Sequence, residues 1–393
     1  MSMRSTAKLR QDVHWLATLL LAAGLVPAFL LLKLPFRFAW MNFLSSYWIS
    51  LTLQSIPVAV LLYLVGFPAR QTLGPLWDRY RGQKLRIVGL IVFVALMVSV
   101  LTPVVAVIFI VATVALLEVV DRARGDSALL VRWLTALVVP AAYLFVGLIL
   151  VFTYNDVIAA ARYTGAYDRA FLRMDSLLLL GKSVSGWSRY AAVHFGLPFF
   201  RFLEFIYFRM FPQIGAALII TAFCFGKREA LRFAGTILTA YYLALVIFLI
   251  WPSMGPFFTC PAHFSEFPPS LVTYAAQKNF LVKAGLLWNH RPIFEIDTDF
   301  FIAFPCMHIA QPLIVMWFLR RWKGMVICLA IYDLVLIPAI LLLEWHYAVD
   351  LIGGVLVAGL AIALTYSSNE RQGSGQLKPV AAAPAETSVT GRA

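Results

Sequence analysis

The sequence predicts an all-α integral membrane protein, a polytopic helix bundle of about ten spans. Three observations predict it. Of 393 residues, 62% are hydrophobic and only 13% charged, against roughly 25% charged in a soluble domain. Apolar runs recur along the chain at about the 20 residues that hydrocarbon requires of a crossing helix. Between them, Lys and Arg gather in short segments at intervals that return to one side of a membrane. The runs lack the alternation of a barrel strand, which excludes a transmembrane barrel.

The elements follow in order. Arg4, Lys8 and Arg10 precede the run 15–32. That run is long and has no small-residue cleavage site, so it is expected to be an uncleaved first span leaving a cytoplasmic N-terminus. The run 43–66 returns, and Arg70, Arg79, Arg81, Lys84 and Arg86 follow on the cytoplasmic side. The run 86–120 would make a helix of roughly 50 Å, too long for one crossing. Pro103 in its middle predicts two short spans turning near Thr102.

Parity then keeps three basic groups inside: Arg122, Arg124 and Arg132; Lys227, Arg228 and Arg232; Arg320, Arg321 and Lys323. The runs 129–152, 205–225, 230–251, 324–343 and 347–366, with a helix opening near His308, make a core of about six helices. Segments 153–204 and 252–305 are left on the outer side. After Thr365 the chain is rich in Ser, Gly, Gln, Ala and Pro, as in a disordered cytoplasmic tail. The expected organisation is therefore 1–125 as an N-terminal region of about four helices, 126–367 as the core and 368–393 as the tail. The net charge of +13 is accounted for by this topology, and no basic run is interleaved with aromatics as nucleic-acid binding would need.

Ionisable residues at membrane depth are costly, so each is a functional candidate. His308 opens one helix and His346 opens another. A helix inward, the turn at Arg321, Trp322 and Lys323, and a helix outward lie between them. A hairpin of that length returns the chain to the face it left, so both histidines are expected at the outer face. Asp350 lies four residues past His346, on the same side of a helix. A carboxylate there can take the proton of one imidazole nitrogen and leave the other as nucleophile. The outer loops show no His/Cys cluster at metal-ligand spacing, and no cofactor is called for by any motif in the chain. His14 and His194 read as interfacial and packing residues. His263, His290 and the acidic group Glu295, Asp297 and Asp299 could line a site or a solvated loop. Cys224 and Cys328 read as small apolar residues within spans.

Phe304-Pro305-Cys306-Met307-His308 and His346-Tyr347-Ala348-Val349-Asp350, with Gly353 and Gly354, resemble the second and third motifs of the type 2 phosphatidic acid phosphatase superfamily. Trp251-Pro252-Ser253-Met254-Gly255-Pro256 is similar to a segment of its inositol phosphorylceramide synthase-like (inositolphosphotransferase) branch. The resemblance covers roughly residues 150–367. It implies a six-helix phosphatidic acid phosphatase-like core and a metal-independent enzyme. His346 would attack phosphorus and form a phosphohistidine, Asp350 would orient it, and His308 would protonate the leaving oxygen.

The chain departs from the family pattern in three places. Lys283 precedes Arg291-Pro292 by one spacer more than the first motif has. Cys306 and Met307 replace the usual Ser-Gly, and Ala339 and Ile340 stand where Ser-Arg is expected. Candidate phosphate-binding cations are therefore Arg291 and Lys283, with Arg162, Arg169 and Arg173 beside them. Cys260 and Cys306, at the two ends of the outer loop, are candidates for a disulfide.

The expected activity is transfer of a phosphate or phospho-headgroup, phosphoinositol included, from a phospholipid donor to a lipid or glycan hydroxyl acceptor. Hydrolysis of a lipid phosphate is the alternative. A lipid transporter or scaffold is the non-enzyme alternative, against which stands the lack of an internal repeat. The expected location is the bacterial inner (plasma) membrane, with both termini cytoplasmic and the active site on the extracytoplasmic face. Composition leaves the oligomeric state open.

Overall fold

The computed structural model describes residues 127–259, 271–289 and 301–366. The expected N-terminal spans and the tail lie outside the described residues. Among those described, every regular element is a helix. In order they are α1 (Ser127–Arg162), α2 (Ala166–Leu178), α3 (Val184–Arg209), α4 (Pro212–Phe225), α5 (Lys227–Ile250), the single turn α6 (Pro256–Thr259), α7 (Val272–Trp288), α8 (Met307–Leu319), α9 (Lys323–Leu342) and α10 (Ala348–Thr365).

Five stretches are long and apolar enough to cross a membrane: Ala136–Arg162, Val184–Phe225, Lys227–Ile250, Lys323–Leu342 and Ala348–Thr365. α8 is a shorter apolar helix. These helices mark an integral membrane protein. The outward faces agree, since Ile327, Ile331 and Leu334 of α9 and Ile352, Val355 and Leu356 of α10 are all exposed. Such a continuous apolar face is a liability in water and is matched in hydrocarbon.

α5 is the axis of the bundle. Ala230, Phe233, Ala234, Ile237, Leu238, Ala240, Ala244 and Phe248 are completely buried along it. α1, α4, α8 and α10 pack around it, α1 most extensively. Lipid tails are as apolar as leucine, so helices here associate through close packing, which favours small residues at contacts. Gly147 of α1 is one such contact. A Cβ there would overlap the Leu238 side chain.

The structure adds to two expectations. Segment 153–204, expected on the outer side, is helical at both ends, because α1 runs on to Arg162 and α3 begins at Val184. Polar residues do not end α1 because they find partners inside. Asn155 accepts the Phe301 N–H at 3.0 Å, and Asp156 pairs with Lys283 at 3.0 Å. Paired in this way, a buried polar group costs little. The span expected at 205–225 is then part of the longer stretch Val184–Phe225. It is kinked at Gly196, where φ is 68° just ahead of Pro198, and restarted at Pro212, where a proline suits the first turn of a helix. Likewise 252–305 is more than a loop, since it contains α6, α7 and a buried piece at 301–303.

Candidate active site

Three chain segments meet at one end of the bundle: 251–256, 301–306 and 343–350. Backbone bonds knit them. Ala303 N–H donates to the Ser253 carbonyl at 2.9 Å, and Cys306 N–H donates to the Asp350 carbonyl at 3.0 Å. Glycines allow the approach. Gly255 has φ +109°, and a Cβ on it would lie 2.7 Å from the Trp345 carbonyl oxygen. A Cβ on Gly353 would come within 2.7 Å of the Phe304 ring, and one on Gly354 would strike the Cys306 carbonyl. The paired glycines of the sequence motif are therefore where α10 lies against the segment leading into α8.

His308 is the second residue of α8. It is stacked on Tyr207 at 4.7 Å between ring centres and meets Phe211 edge-on at 5.6 Å. His346 lies just before α10 and is 3% exposed. His308 Nδ1 and His346 Nε2 are 2.9 Å apart. His346 Nδ1 faces the Ala303 carbonyl at 2.8 Å and Asp350 Oδ2 at 3.3 Å. Both of those partners are acceptors, so Nδ1 carries the ring hydrogen and Nε2 keeps its lone pair. The short contact between the rings is then a His308 Nδ1–H donating to His346 Nε2. Burial works against a charge on His346, while the Asp350 carboxylate beside Nδ1 favours one.

The sequence expectation placed His346 and Asp350 on one helix face. The structure reaches the same meeting differently. His346 precedes the helix, and Asp350 is its third residue, accepting the Tyr347 N–H at 2.8 Å as a capping group. One carboxylate oxygen thus starts the helix and orients the imidazole. The other, Asp350 Oδ1, is buried without a hydrogen-bond partner, as is His308 Nε2.

Sequence reasoning missed α2. Its inner face carries Asp168, Phe171 and Asp175, all buried. Asp168 gathers Ser253 Oγ and the N–H groups of Met254 and Gly255 at 2.9 to 3.2 Å. Asp175 accepts the Ala348 N–H at 2.7 Å at the first turn of α10. Burial, together with the nearby Asp350 charge, pushes the Asp175 pKa up to about 7, against the N–H bond that lowers it. The signal was present, since acids at 168 and 175 sit at helical spacing while Arg169 and Arg173 point elsewhere. Phe171 packs on Phe304 and Tyr347 at 5.0 and 6.0 Å.

The candidate cations are placed as follows. Lys283 is completely buried, paired with Asp156 and lying 4.8 Å over the Phe301 ring. Arg162 is exposed, with Nε 3.4 Å from the Leu249 carbonyl. Arg169 and Arg173 are on the exposed side of α2. Arg291 lies outside the described residues. Ala339 and Ile340 are fully buried at the end of α9. α8 begins at Cys306 with no side chain capping its first turn, and such an N-terminus attracts anions through its unpaired N–H groups.

Cys306 is a buried free thiol, while Cys260, its expected partner, lies outside the described residues. The thiol converges with both histidines. The ligand atoms of Cys306, His308 and His346 all lie within 4.8 Å of one another. The expectation of no metal-ligand cluster considered loop spacing alone, and this cluster is assembled by the fold from distant segments.

An imidazole nitrogen with a free lone pair, an orienting carboxylate and a second imidazole in reach of it form a set able to carry out phosphoryl or acyl transfer. Comparison with curated proteins and with solved structures finds no match. Residues 169–364 match the family model described as the PAP2 superfamily, a range that holds α2, α8, α10 and both histidines. That match supports placing the second half of this chain in the PAP2 superfamily.

Proposed function

We propose that the protein is a membrane phosphotransferase. It moves a phosphate or phospho-headgroup from a phospholipid to a hydroxyl acceptor through a phosphohistidine at His346. Superfamily likeness supports lipid phosphoester chemistry of the phosphatase or phosphotransferase type. The observation that carries the finer reading is the relay Asp350–His346–His308, with spacings of 3.3 and 2.9 Å.

His346 Nε2 attacks phosphorus in line with the leaving oxygen. As its ring becomes cationic, Asp350 and the Ala303 carbonyl hold the Nδ1–H and stabilise the charge. The proton on His308 Nδ1 now occupies the space that phosphorus must enter, so substrate displaces it and receives it on the leaving oxygen. In the second half His308 takes the proton of the incoming hydroxyl, which attacks the phosphohistidine. The N-terminus of α8 faces the same space and suits the phosphoryl oxygens. Transfer needs an acceptor hydroxyl ordered in line with the phosphohistidine, and the burial of His346 and Asp350 favours an ordered acceptor over free water.

The test uses purified protein and a phospholipid donor labelled at phosphorus. Label moving to a lipid or glycan alcohol is the expected outcome. Free phosphate or free phospho-headgroup as sole product, across a broad acceptor panel, would establish hydrolysis instead. Absence of any acid-labile, base-stable labelled protein under quench conditions would count against the phosphohistidine.

A further inference from the structure

We propose that Cys306, His308 and His346 form a binding site for a thiophilic divalent cation of the zinc group, and that an ion there switches the phosphoryl chemistry off. The inhibitory half rests on the proposed function. The binding half rests on geometry alone.

The donor set is one thiol and two imidazoles, with ligand atoms within 4.8 Å of one another. Soft thiolate with imidazole selects zinc-like ions over magnesium or calcium. Zinc binds sulfur at about 2.3 Å and nitrogen at about 2.0 Å in a tetrahedron. The two facing nitrogens are 2.9 Å apart, so they need to open by only a few tenths of an ångström to share an ion at about those lengths. Histidine ligands characteristically donate their other N–H to a carboxylate or carbonyl. His346 already does so, through Nδ1 to the Ala303 carbonyl and Asp350. His308 Nε2 is buried and unpartnered, so that ring can accept its hydrogen there when Nδ1 turns to metal.

The exchange balances. The cation replaces the hydrogen between the two rings, that hydrogen moves to His308 Nε2, and Cys306 releases its thiol proton to solvent. No electron is transferred. The ion then holds His346 Nε2, the atom proposed to attack phosphorus. The three ligands leave the fourth position of the tetrahedron open. Cys306 is the residue that makes this chain different, standing where the motif it resembles carries serine.

The experiment titrates the full-length protein in detergent with cadmium and with zinc, following the ultraviolet cadmium–thiolate charge-transfer band and turnover together. Wild type should develop the band at one equivalent and lose turnover in parallel. A Cys224→Ala/Cys328→Ala background should behave the same. In that background Cys306→Ser should lose the band and need at least about tenfold more cation for the same fractional loss of turnover. Cys306→Ala, checked for monodispersity, covers a serine variant that fails to fold. An unchanged band in Cys306→Ser, or no band in wild type because Cys306 is bridged to Cys260, would overturn the site. Turnover lost on chelation and restored by zinc would overturn the inhibitory role. A band with no turnover under any condition would leave the site standing and defeat the proposed function.

Discussion

The two ends of the bundle carry polar clusters built on opposite plans. At one end Glu229 is paired with Arg232 at 2.8 Å and receives the Tyr366 hydroxyl at 3.3 Å, while Arg232 lies over the Tyr366 ring. Arg320 covers Trp317, and Arg321 covers Phe225. Acid meets base, and aromatic rings shield the cations. At the other end Asp168, Asp175 and Asp350 are held by backbone N–H groups, a hydroxyl and an imidazole. Asp175 Oδ2, Asp350 Oδ1 and His308 Nε2 are buried there with no hydrogen-bond partner. α10 joins the two, with Asp350 in its first turn and Tyr366 just past its last, about 25 Å away along the helix. Neutralised, shielded charge acts as a clasp between helices, whereas the three unmatched polar atoms clustered at the other end cost about 1–3 kcal/mol each and mark it as the candidate site.

Substitutions should divide along the same line. The largest effect is expected at His346→Ala, which should remove nearly all turnover, with Asp350→Asn next at a loss of about 100-fold or more, both with the protein still folded in detergent. Turnover measured beside a size-exclusion profile checks this. Wild-type activity in His346→Ala would dissolve the contrast. Gly354→Ala should act on both stability and activity, because its methyl group would strike the Cys306 carbonyl. A loss of about 1–3 kcal/mol, read as a lowered melting temperature, is expected.

Asp175 offers a subtler probe. Its raised pKa means that between about pH 4 and about pH 7 the folded protein holds a proton that the unfolded chain has released. The contribution of this group to stability therefore falls as pH rises through that window. Asp175→Asn keeps an oxygen for the Ala348 N–H and removes the charge, so its stability should be flatter with pH there. A profile parallel to wild type would refute the assignment. The smallest effect belongs to the opposite end, where Tyr366→Phe should leave turnover within about twofold and cost about 0.5–1.5 kcal/mol of stability.

Much of this was legible in the chain. Apolar runs and basic loops located the membrane helices of the second half, because burial in lipid writes itself into composition. The meeting of His308, His346 and Asp350 was legible because ionisable residues at helix starts in an apolar sequence are conspicuous. Glycines 353 and 354 were legible as a motif, though their role in close approach was not. The rest depended on contacts between distant segments. Nothing local in the sequence says that Asp175 would meet Ala348, or that Lys283 would be committed to Asp156. The end of α1 was not legible for the same reason, since polar residues read as a boundary when their partners lie more than a hundred positions away. The phosphate-holding cation was the least legible part, and Arg291 lies outside the described residues.

The bond from Cys306 N–H to the Asp350 carbonyl has a mechanical consequence. It sutures the two histidine-bearing segments main chain to main chain, with glycines removing any slack between them. α8 and α10 are thereby joined through their main chains at the candidate site. α2 is fastened otherwise, by two aspartates that grip N–H groups and a hydroxyl, and it is preceded by Gly165 at φ +70° and followed by Gly181 at φ +86°. α2 is thus held to the bundle by side chains, between two glycines, where α8 and α10 are held main chain to main chain.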